Sequence, residues 1–185
     1  MPELIMVCGP NGSGKSTFTR SLVMSQNLIC IDPDALAANG LSPLAAGKAA
    51  ASMAKLMLEQ GVSFVRESTL TSHFDFRIME EAKSRGYSVR LIYIFLSSLE
   101  LALSRVQSRV KKGGHDGSPT DIARRFLRSI DNLPKALALA DSYTVIDNSK
   151  EAYSVIADSQ EENSSQNGLL ASSLLRAAAS TCPHE

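Results

Sequence analysis

The chain has 185 residues, 44% of them hydrophobic and 21% charged, which is the composition of one ordinary globular domain. Lysine and arginine together number 19, as do aspartate and glutamate, and this zero net charge argues against a general nucleic-acid-binding protein. The chain contains no apolar run of about 18 residues, no basic leader and only three scattered cysteines, so we expect a cytoplasmic protein without a membrane span, a disulfide framework or a zinc site.

Short apolar runs alternate with longer helical patterns along most of the chain. Strands are predicted where apolar runs end in glycine, aspartate or a polar cluster, namely at residues 4–8, 28–31, 62–66, 89–96 and 142–146. Helices are predicted at residues 15–25, 43–59, 73–85, 98–110 and 120–140. This alternation predicts an α/β fold with a parallel five-stranded sheet and helices on both faces.

The character of the sequence changes near residue 150. Residues 152–157 suit one or two helical turns, and a polar stretch of low complexity, DSQEENSSQNG, follows them. Residues 169–179 have the spacing of an amphipathic helix. We therefore expect a globular domain over residues 1–150 and a tail over residues 151–185, which is either partly disordered or a helix that docks on a partner.

A complete phosphate-binding motif, G-x-x-x-x-G-K-[ST], stands between the first predicted strand and the first predicted helix. Its glycines let backbone N–H groups converge on an anion, and the helix directs the positive end of its dipole at the same point. Lys15 is expected to reach the β- and γ-phosphates, and the hydroxyl of Ser16 is a hard oxygen ligand for Mg²⁺. The predicted ATP-binding residues are Gly9, Pro10, Asn11, Gly12, Ser13, Gly14, Lys15, Ser16 and Thr17.

The motif identifies a nucleotide site but not the reaction. The LSGGQ-type signature of ABC ATPases is absent from the sequence, as is the Asn-Lys-x-Asp element with which GTPases recognise guanine. The small size and the missing signatures favour a P-loop NTPase of the kinase type, which uses ATP with Mg²⁺.

An acidic cluster, Asp32-Pro33-Asp34, follows the second predicted strand. The carboxyl ends of parallel strands meet at one edge of a sheet, so this cluster is expected near the phosphate loop. A kinase needs a carboxylate that orients the acceptor hydroxyl and takes its proton, and Asp34 is the candidate for this base. Asp32 is either a carboxylate on the Mg²⁺ side or the cap of a turn, and both residues also fit plain turn chemistry.

A second cluster, Glu67-Ser68-Thr69, follows the third predicted strand. A charge at the end of an apolar strand is costly unless it is paired or used. Glu67 is therefore a candidate for holding the metal through water or for binding a substrate hydroxyl, and Thr69 adds a hydroxyl at the same rim. The alternative is a solvated strand terminus. Arg66 and Glu67 are neighbours on a strand and are expected to face opposite sides.

A basic segment extends from residue 105 to residue 128 and contains seven lysine and arginine residues but only two aspartates. Two helices around a glycine-rich loop predict a hinged lid, whose arginines, Arg109 and Arg125 among them, could close over the transferring phosphates. A solvated basic face is the alternative. A groove for single-stranded nucleic acid would need aromatic platforms, and the segment offers only Phe126.

Four motifs together resemble the zeta-toxin family of P-loop kinases, in particular its short bacterial branch. They are GPNGSGKST at residues 9–17, IDPDALA at residues 31–37, RESTL at residues 66–70 and RVKKGGHDGSPTDIARRFLRSIDNL at residues 109–133. The first motif is generic to P-loop proteins, and the last is the most distinctive. Ser68 stands where the family often has a glycine.

The resemblance implies a kinase-type α/β fold with a helical, arginine-rich lid at about residues 105–128. It also implies an ATP- and Mg²⁺-dependent phosphotransferase that acts on a sugar hydroxyl of a UDP-amino-sugar such as UDP-N-acetylglucosamine. Family toxins are held inactive by a small helical antitoxin, so a protein of that kind is an expected partner.

The resemblance also implies a role for each residue already singled out. Lys15 and Ser16 would bind the phosphates and the metal, and Asp34 would be the base. Glu67 and Thr69 would contact the substrate, and Arg109 and Arg125 would close on the phosphates. Two further hypotheses stay open: a kinase for another small molecule, a nucleoside or a nucleic-acid end, and a nucleotide-dependent binding module with little chemistry.

Overall fold

The computed structural model describes residues 1–111 and 118–159, so the expected amphipathic helix at residues 169–179 lies outside it, as does the centre of the expected lid loop. The described chain forms a sheet of six strands. They are β1 (Glu3–Cys8), β2 (Ile29–Ile31), β3 (Phe64–Ser68), β4 (Ser88–Phe95), β5 (Ser142–Asp147) and β6 (Ser154–Asp158).

Helices connect the strands. They are α1 (Lys15–Gln26), α2 (Pro33–Ala38), α3 (Pro43–Gln60), α4 (His73–Ser84), α5 (Leu99–Val110) and α6 (Pro119–Leu139). Serine side chains cap the starts of α3 to α6, because each hydroxyl accepts a hydrogen bond from an N–H group of the first turn; these caps are Ser42, Ser72, Ser98 and Ser118. Within the described ranges, no helix is both long and apolar enough to cross a membrane.

The strand order is β2-β3-β1-β4-β5-β6, with β1 at the centre between β3 and β4. The first five strands are parallel, as the alternation of elements predicted. Their carboxyl ends therefore meet at one edge of the sheet. The phosphate motif follows β1 at this edge, the first acidic cluster follows β2, and the second acidic cluster begins in the last two residues of β3.

Two local elements differ from the sequence-based prediction. Residues 152–157 were expected to form a helical turn, but β6 occupies this segment and pairs antiparallel with β5. The prediction was wrong because the exposed edge of β5 offers backbone hydrogen bonds that a short isolated turn cannot match. Helix α2 was not predicted: Pro33 at its start and Asp32 as its N-cap convert the expected turn into six helical residues.

The sheet is apolar on both faces, which explains why the strands read as continuous hydrophobic runs. Along β1, Leu4, Met6 and Cys8 face the larger core cluster, whereas Ile5 and Val7 face the smaller one. The larger cluster includes buried residues of α3, α4, α5 and α6, and α1 covers the smaller cluster. The loop edge is thus held between two packed layers.

Candidate active site

The phosphate loop turns sharply between β1 and α1. Gly9 has a φ of 144°, and a Cβ there would lie 2.3 Å from the carbonyl oxygen of Ile94, so only glycine fits against β4. Gly14, directly before α1, has a φ of 94°, which also favours glycine. The loop therefore takes the close backbone path that the motif predicted.

Two side chains of the loop, Lys15 and Ser16, have hydrogen-bond partners within the protein. Lys15 Nζ donates a hydrogen bond to the carbonyl oxygen of Pro10 across the loop, at 3.0 Å. Burial lowers the pKa of Lys15, although the nearby carboxylates of Glu67 and Asp34 oppose this shift. Ser16 Oγ donates to Glu67 Oε2 at 3.0 Å, which joins the loop to the end of β3.

Glu67 is a buried carboxylate at the carboxyl end of β3, with 5% of its surface exposed. Burial raises its pKa, and the neighbouring carboxylate of Asp32 raises it further. Ser16 and Glu67 together offer hydroxyl and carboxylate oxygens, the donors that Mg²⁺ prefers. Among the described residues, no group of three or more His, Cys, Asp and Glu side chains could hold a metal ion, so phosphate and water oxygens would have to complete the coordination.

The two aspartates after β2 have different environments. Asp32 Oδ1 accepts a hydrogen bond of 2.9 Å from the backbone N–H of Asp34 and so caps α2. Burial is also the main reason that the pKa of Asp32 is raised. Asp34 lies in the first turn of α2, and its side chain is exposed. Of the two alternatives left open for Asp32, the structure therefore shows a capping role, here at a helix.

Two of the cavities beside the site are lined by both Lys15 and Asp34. One, of about 190 Å³, is lined by loop residues 11, 12 and 14–17 and by Arg105, Val106 and Arg109 of α5. The other, of about 590 Å³, lies among β3, α2, α3, α4 and α6. Lys15 and Asp34 line both cavities. A ligand on the loop and a second molecule in the larger cavity would therefore meet at these two side chains.

The larger cavity contains the expected substrate residues Glu67 and Thr69. The hydroxyls of Thr69 and Thr71 lie 2.9 Å apart, on either side of Leu70. Leu70 has a φ of 58°, a conformation uncommon for a branched residue, and Asn132 Nδ2 of α6 donates to its carbonyl oxygen at 2.8 Å. The structure thus fixes a strained turn at the rim of the cavity.

The predicted arginines divide between the cavities. Arg109 lines the phosphate-loop cavity and Arg125 lines the larger one. Arg124, next to Arg125, instead forms an exposed ion pair of 2.8 Å with Asp121. The loop residues at 112–117, between the two helices, lie outside the described residues.

Sequence reasoning missed Asn148, in the turn after β5. Its Nδ2 donates to the carbonyl oxygen of Ser13 at 2.8 Å, although 135 residues separate the two. The hydroxyl of Tyr153 lies 3.5 Å from the carbonyl oxygen of Gly14. In a trans peptide the C=O and the following N–H point in opposite directions, so the bond to Ser13 turns the N–H of Gly14 away from Asn148. No spacing pattern connects these segments.

Comparison with known proteins shows which sequences this chain resembles. A model of the zeta toxin family matches residues 1–164. An uncharacterised protein of Haemophilus influenzae is 38% identical over 119 residues, which are 61% of this chain and 84% of that protein. The Haemophilus influenzae protein has no described activity, so the match shows only that a related sequence occurs there.

Solved structures share the fold at low identity. A chain of the PezAT chromosomal toxin–antitoxin system of Streptococcus pneumoniae superposes with a TM-score of 0.70 at 18% identity, covering 98% of this chain and 86% of that chain. The AvrRxo1-ORF1:ORF2 complex with ATP gives 0.69 at 17% identity, over 95% of this chain and 64% of that chain. A putative kinase of Chloroflexus aurantiacus superposes with a TM-score of 0.55 at 23% identity, covering 67% of this chain and 77% of that chain. These likenesses confirm the kinase-type α/β fold.

Proposed function

The chain belongs to the zeta toxin family of ATP-binding phosphotransferases, and on that premise we propose that it transfers the γ-phosphoryl group of ATP to a sugar hydroxyl of a UDP-amino-sugar such as UDP-N-acetylglucosamine. The observation that carries the proposal is that Lys15 and Asp34 line both cavities. A γ-phosphate in one cavity and a hydroxyl in the other would meet beside one cation and one carboxylate, which is what in-line transfer needs.

In this proposal the phosphate loop holds ATP through its backbone N–H groups and Lys15. Lys15 exchanges its bond to the Pro10 carbonyl oxygen for the β- and γ-phosphate oxygens, and the positive end of α1 adds to the attraction. Ser16 and Glu67 are the residues that would hold Mg²⁺. Bound there, the ion would neutralise charge on the phosphate oxygens.

Asp34 is the proposed base. It orients the acceptor hydroxyl and accepts its proton while the hydroxyl oxygen bonds to the γ-phosphorus and the bond to the bridging oxygen of ADP breaks. Its exposed position suits this role, because the carboxylate can be reached from both cavities.

The remaining predicted residues bind charge or substrate. In the proposal, Arg109, which lines the loop cavity, and Arg125, which lines the acceptor cavity, neutralise the phosphoryl group as its charge spreads. Thr69 and Glu67 line the acceptor cavity and are the proposed hydrogen-bond partners of acceptor hydroxyls.

We also propose that a small helical antitoxin binds this chain and that both act in the cytoplasm, where ATP and nucleotide sugars are available. The support is family membership together with the fold shared with a chain of a toxin–antitoxin system. Purifying the chain with the product of a neighbouring short gene, and finding kinase activity suppressed in the complex, would test this.

The direct test of function is product analysis. The protein is incubated with ATP, Mg²⁺ and separate UDP-sugars, nucleosides and short oligonucleotides, and the products are weighed by mass spectrometry. We expect UDP-N-acetylglucosamine to gain one phosphate while ATP becomes ADP. Phosphorylation of a nucleoside or an oligonucleotide instead would refute the acceptor. Tight ATP binding without transfer to any acceptor would show a binding module.

A further inference from the structure

Arg66 has a surrounding that the proposed chemistry does not explain. It precedes Glu67 on β3 but points to the opposite face of the sheet, as neighbours on a strand must. Only 6% of its surface is exposed, and it lines the larger cavity. A guanidinium is always charged, so burying it is costly unless its donors are satisfied.

The contacts of Arg66 with the described residues leave two of its three side-chain nitrogens without a hydrogen-bond partner. Its Nη2 lies 3.5 Å from Asp75 Oδ1, and its guanidinium carbon lies 4.9 Å from the centre of the Phe74 ring. Nε and Nη1 have no hydrogen-bond partner in the described part of the chain, and neither does Asp75 Oδ1. The ion pair with Asp75 is therefore close enough to keep the arginine in place, but it does not satisfy the N–H donors of the guanidinium group.

Exposed pairs elsewhere in the molecule are tighter. Arg124 and Asp121 approach to 2.8 Å, and Arg85 and Glu81 approach to 3.0 Å, although both pairs are far more exposed to solvent than Arg66 and Asp75. A buried pair that served only stability would be expected to have the better geometry, because nothing else compensates its desolvation. The loose geometry of the buried pair indicates that part of its bonding comes from a ligand.

Other charges of the cavity indicate the sign of that ligand. Lys15 and the carboxylates of Asp32, Asp34 and Glu67 interact with one another at the phosphate-loop end. Of the remaining ionisable lining residues, four are basic and one is acidic, and they come from β3, α3, α4 and α6: Arg66, Lys48, Arg77, Arg125 and Asp75. This part of the cavity therefore attracts anions.

We propose that Arg66 binds an anionic phosphate or diphosphate group of the acceptor, away from the hydroxyl that is phosphorylated. This inference rests on the proposed function, since it places the acceptor in the larger cavity. Asp75 and Phe74 hold the guanidinium at the cavity wall, and the phosphate oxygens supply acceptors to a guanidinium whose Nε and Nη1 have none within the described ranges, through the fork geometry for which arginine is suited. Arg66 is thus a determinant of acceptor specificity, selecting phosphorylated over neutral sugars.

The first test is kinetic and uses Arg66→Met. With UDP-N-acetylglucosamine we expect the acceptor KM to rise about 10- to 100-fold, the usual worth of hydrogen bonds to a charged group, while the KM for ATP changes less than about twofold. Arg66→Lys should recover part of the loss, because it keeps the charge without the fork. Arg90→Met is the matched control: Arg90 is a half-buried strand arginine on β4, outside this cavity.

The second test does not depend on the acceptor. The phosphate loop is saturated with a non-hydrolysable ATP analogue, and binding of inorganic pyrophosphate to the protein is measured by calorimetry. We expect one additional site in the wild type and in Arg90→Met, and its loss in Arg66→Met, with melting temperatures recorded for all three.

The two tests separate this inference from the proposed function. If UDP-N-acetylglucosamine is not phosphorylated but pyrophosphate binding depends on Arg66, the inference stands and the acceptor is wrong. If UDP-N-acetylglucosamine is phosphorylated with an unchanged acceptor KM in Arg66→Met, the function stands and the inference is overturned. Equal losses for ATP and acceptor, with a lowered melting temperature, would mean a structural ion pair and also overturn it.

Discussion

The phosphate-loop end and the acceptor end of the site are built in different ways. The loop end comes mainly from one contiguous segment, residues 9–17, whose backbone we propose binds the phosphates, with α5 and the turn after β5 packed against it. The acceptor end comes from side chains of five separate elements, β3, α2, α3, α4 and α6. A contiguous backbone cradle tolerates little change, whereas a pocket of dispersed side chains can change its ligand by substitution. Predictions that separate the two ends test this contrast.

The largest effect is expected at the loop end. Lys15→Ala should reduce ATP-dependent turnover by at least about 1,000-fold, because it removes the cation that both cavities share. Turnover is measured as ADP release and as phosphorylated product. Lys55→Ala, an exposed position on α3, is the control and should stay near wild type. Surviving ATP-dependent turnover in Lys15→Ala would contradict the whole scheme.

The junction of the two ends is tested by Asp34→Asn. The kcat should fall at least about 100-fold, the usual worth of a positioned base, while ATP binding stays near normal. The comparison is made by steady-state kinetics and by titration with an ATP analogue. Asp131→Asn, exposed on α6, controls for the loss of a surface carboxylate. Near-normal turnover in Asp34→Asn would remove Asp34 from the role of base.

Two asparagines allow the loop end and the acceptor end to be perturbed one at a time by matched substitutions. Asn148 and Asn132 each donate one hydrogen bond of 2.8 Å to a backbone carbonyl, the first at Ser13 and the second at Leu70. Asn148→Ala should raise the KM for ATP about 5- to 10-fold, and Asn132→Ala should raise the KM for the acceptor by a similar factor, since each loses about one hydrogen bond that positions a loop. Each variant thus controls for the other. Equal effects of both variants on both constants would mean that the ends are not independent.

The smallest expected effect concerns stability and Glu67. Burial raises the pKa of Glu67 in the folded protein, so the folded state binds the proton more tightly than the unfolded state does. The free energy of unfolding therefore falls as the pH rises from the pKa of the unfolded state to the raised pKa of the folded state. Glu67→Gln should therefore raise the melting temperature at neutral pH by about 2–4 °C, the shift that about 1 kcal/mol produces in a chain of this size. The difference should vanish at acid pH, where Glu67 is protonated. A lower melting temperature for the variant at neutral pH would mean that the site stabilises the ionised carboxylate.

Several parts of the fold could be predicted because local chemistry determines them. Continuous apolar runs identified five parallel strands, and serine or glycine at the ends of helical patterns placed most helix boundaries within a residue or two. Residues 154–158 were beyond such reasoning, because their strand depends on the free edge of β5 rather than on their own pattern. Helix α2 was missed for the opposite reason, since six residues are too few to show a helical period.

The sequence by itself determined the phosphate loop. Its glycines are required by φ angles and by the close approach of β4, so their spacing alone identifies the structure. It also determined that carboxylates from two strand ends would lie near this loop, because parallel strands end at one edge. Only the tertiary structure decided that Glu67 bonds to Ser16, that Asn148 supports Ser13 and that Arg66 lies with unsatisfied donors beside the larger cavity. The first two contacts join residues that are 51 and 135 positions apart in the chain, and the third depends on burial. Long-range contacts and burial are both decided by how distant elements pack.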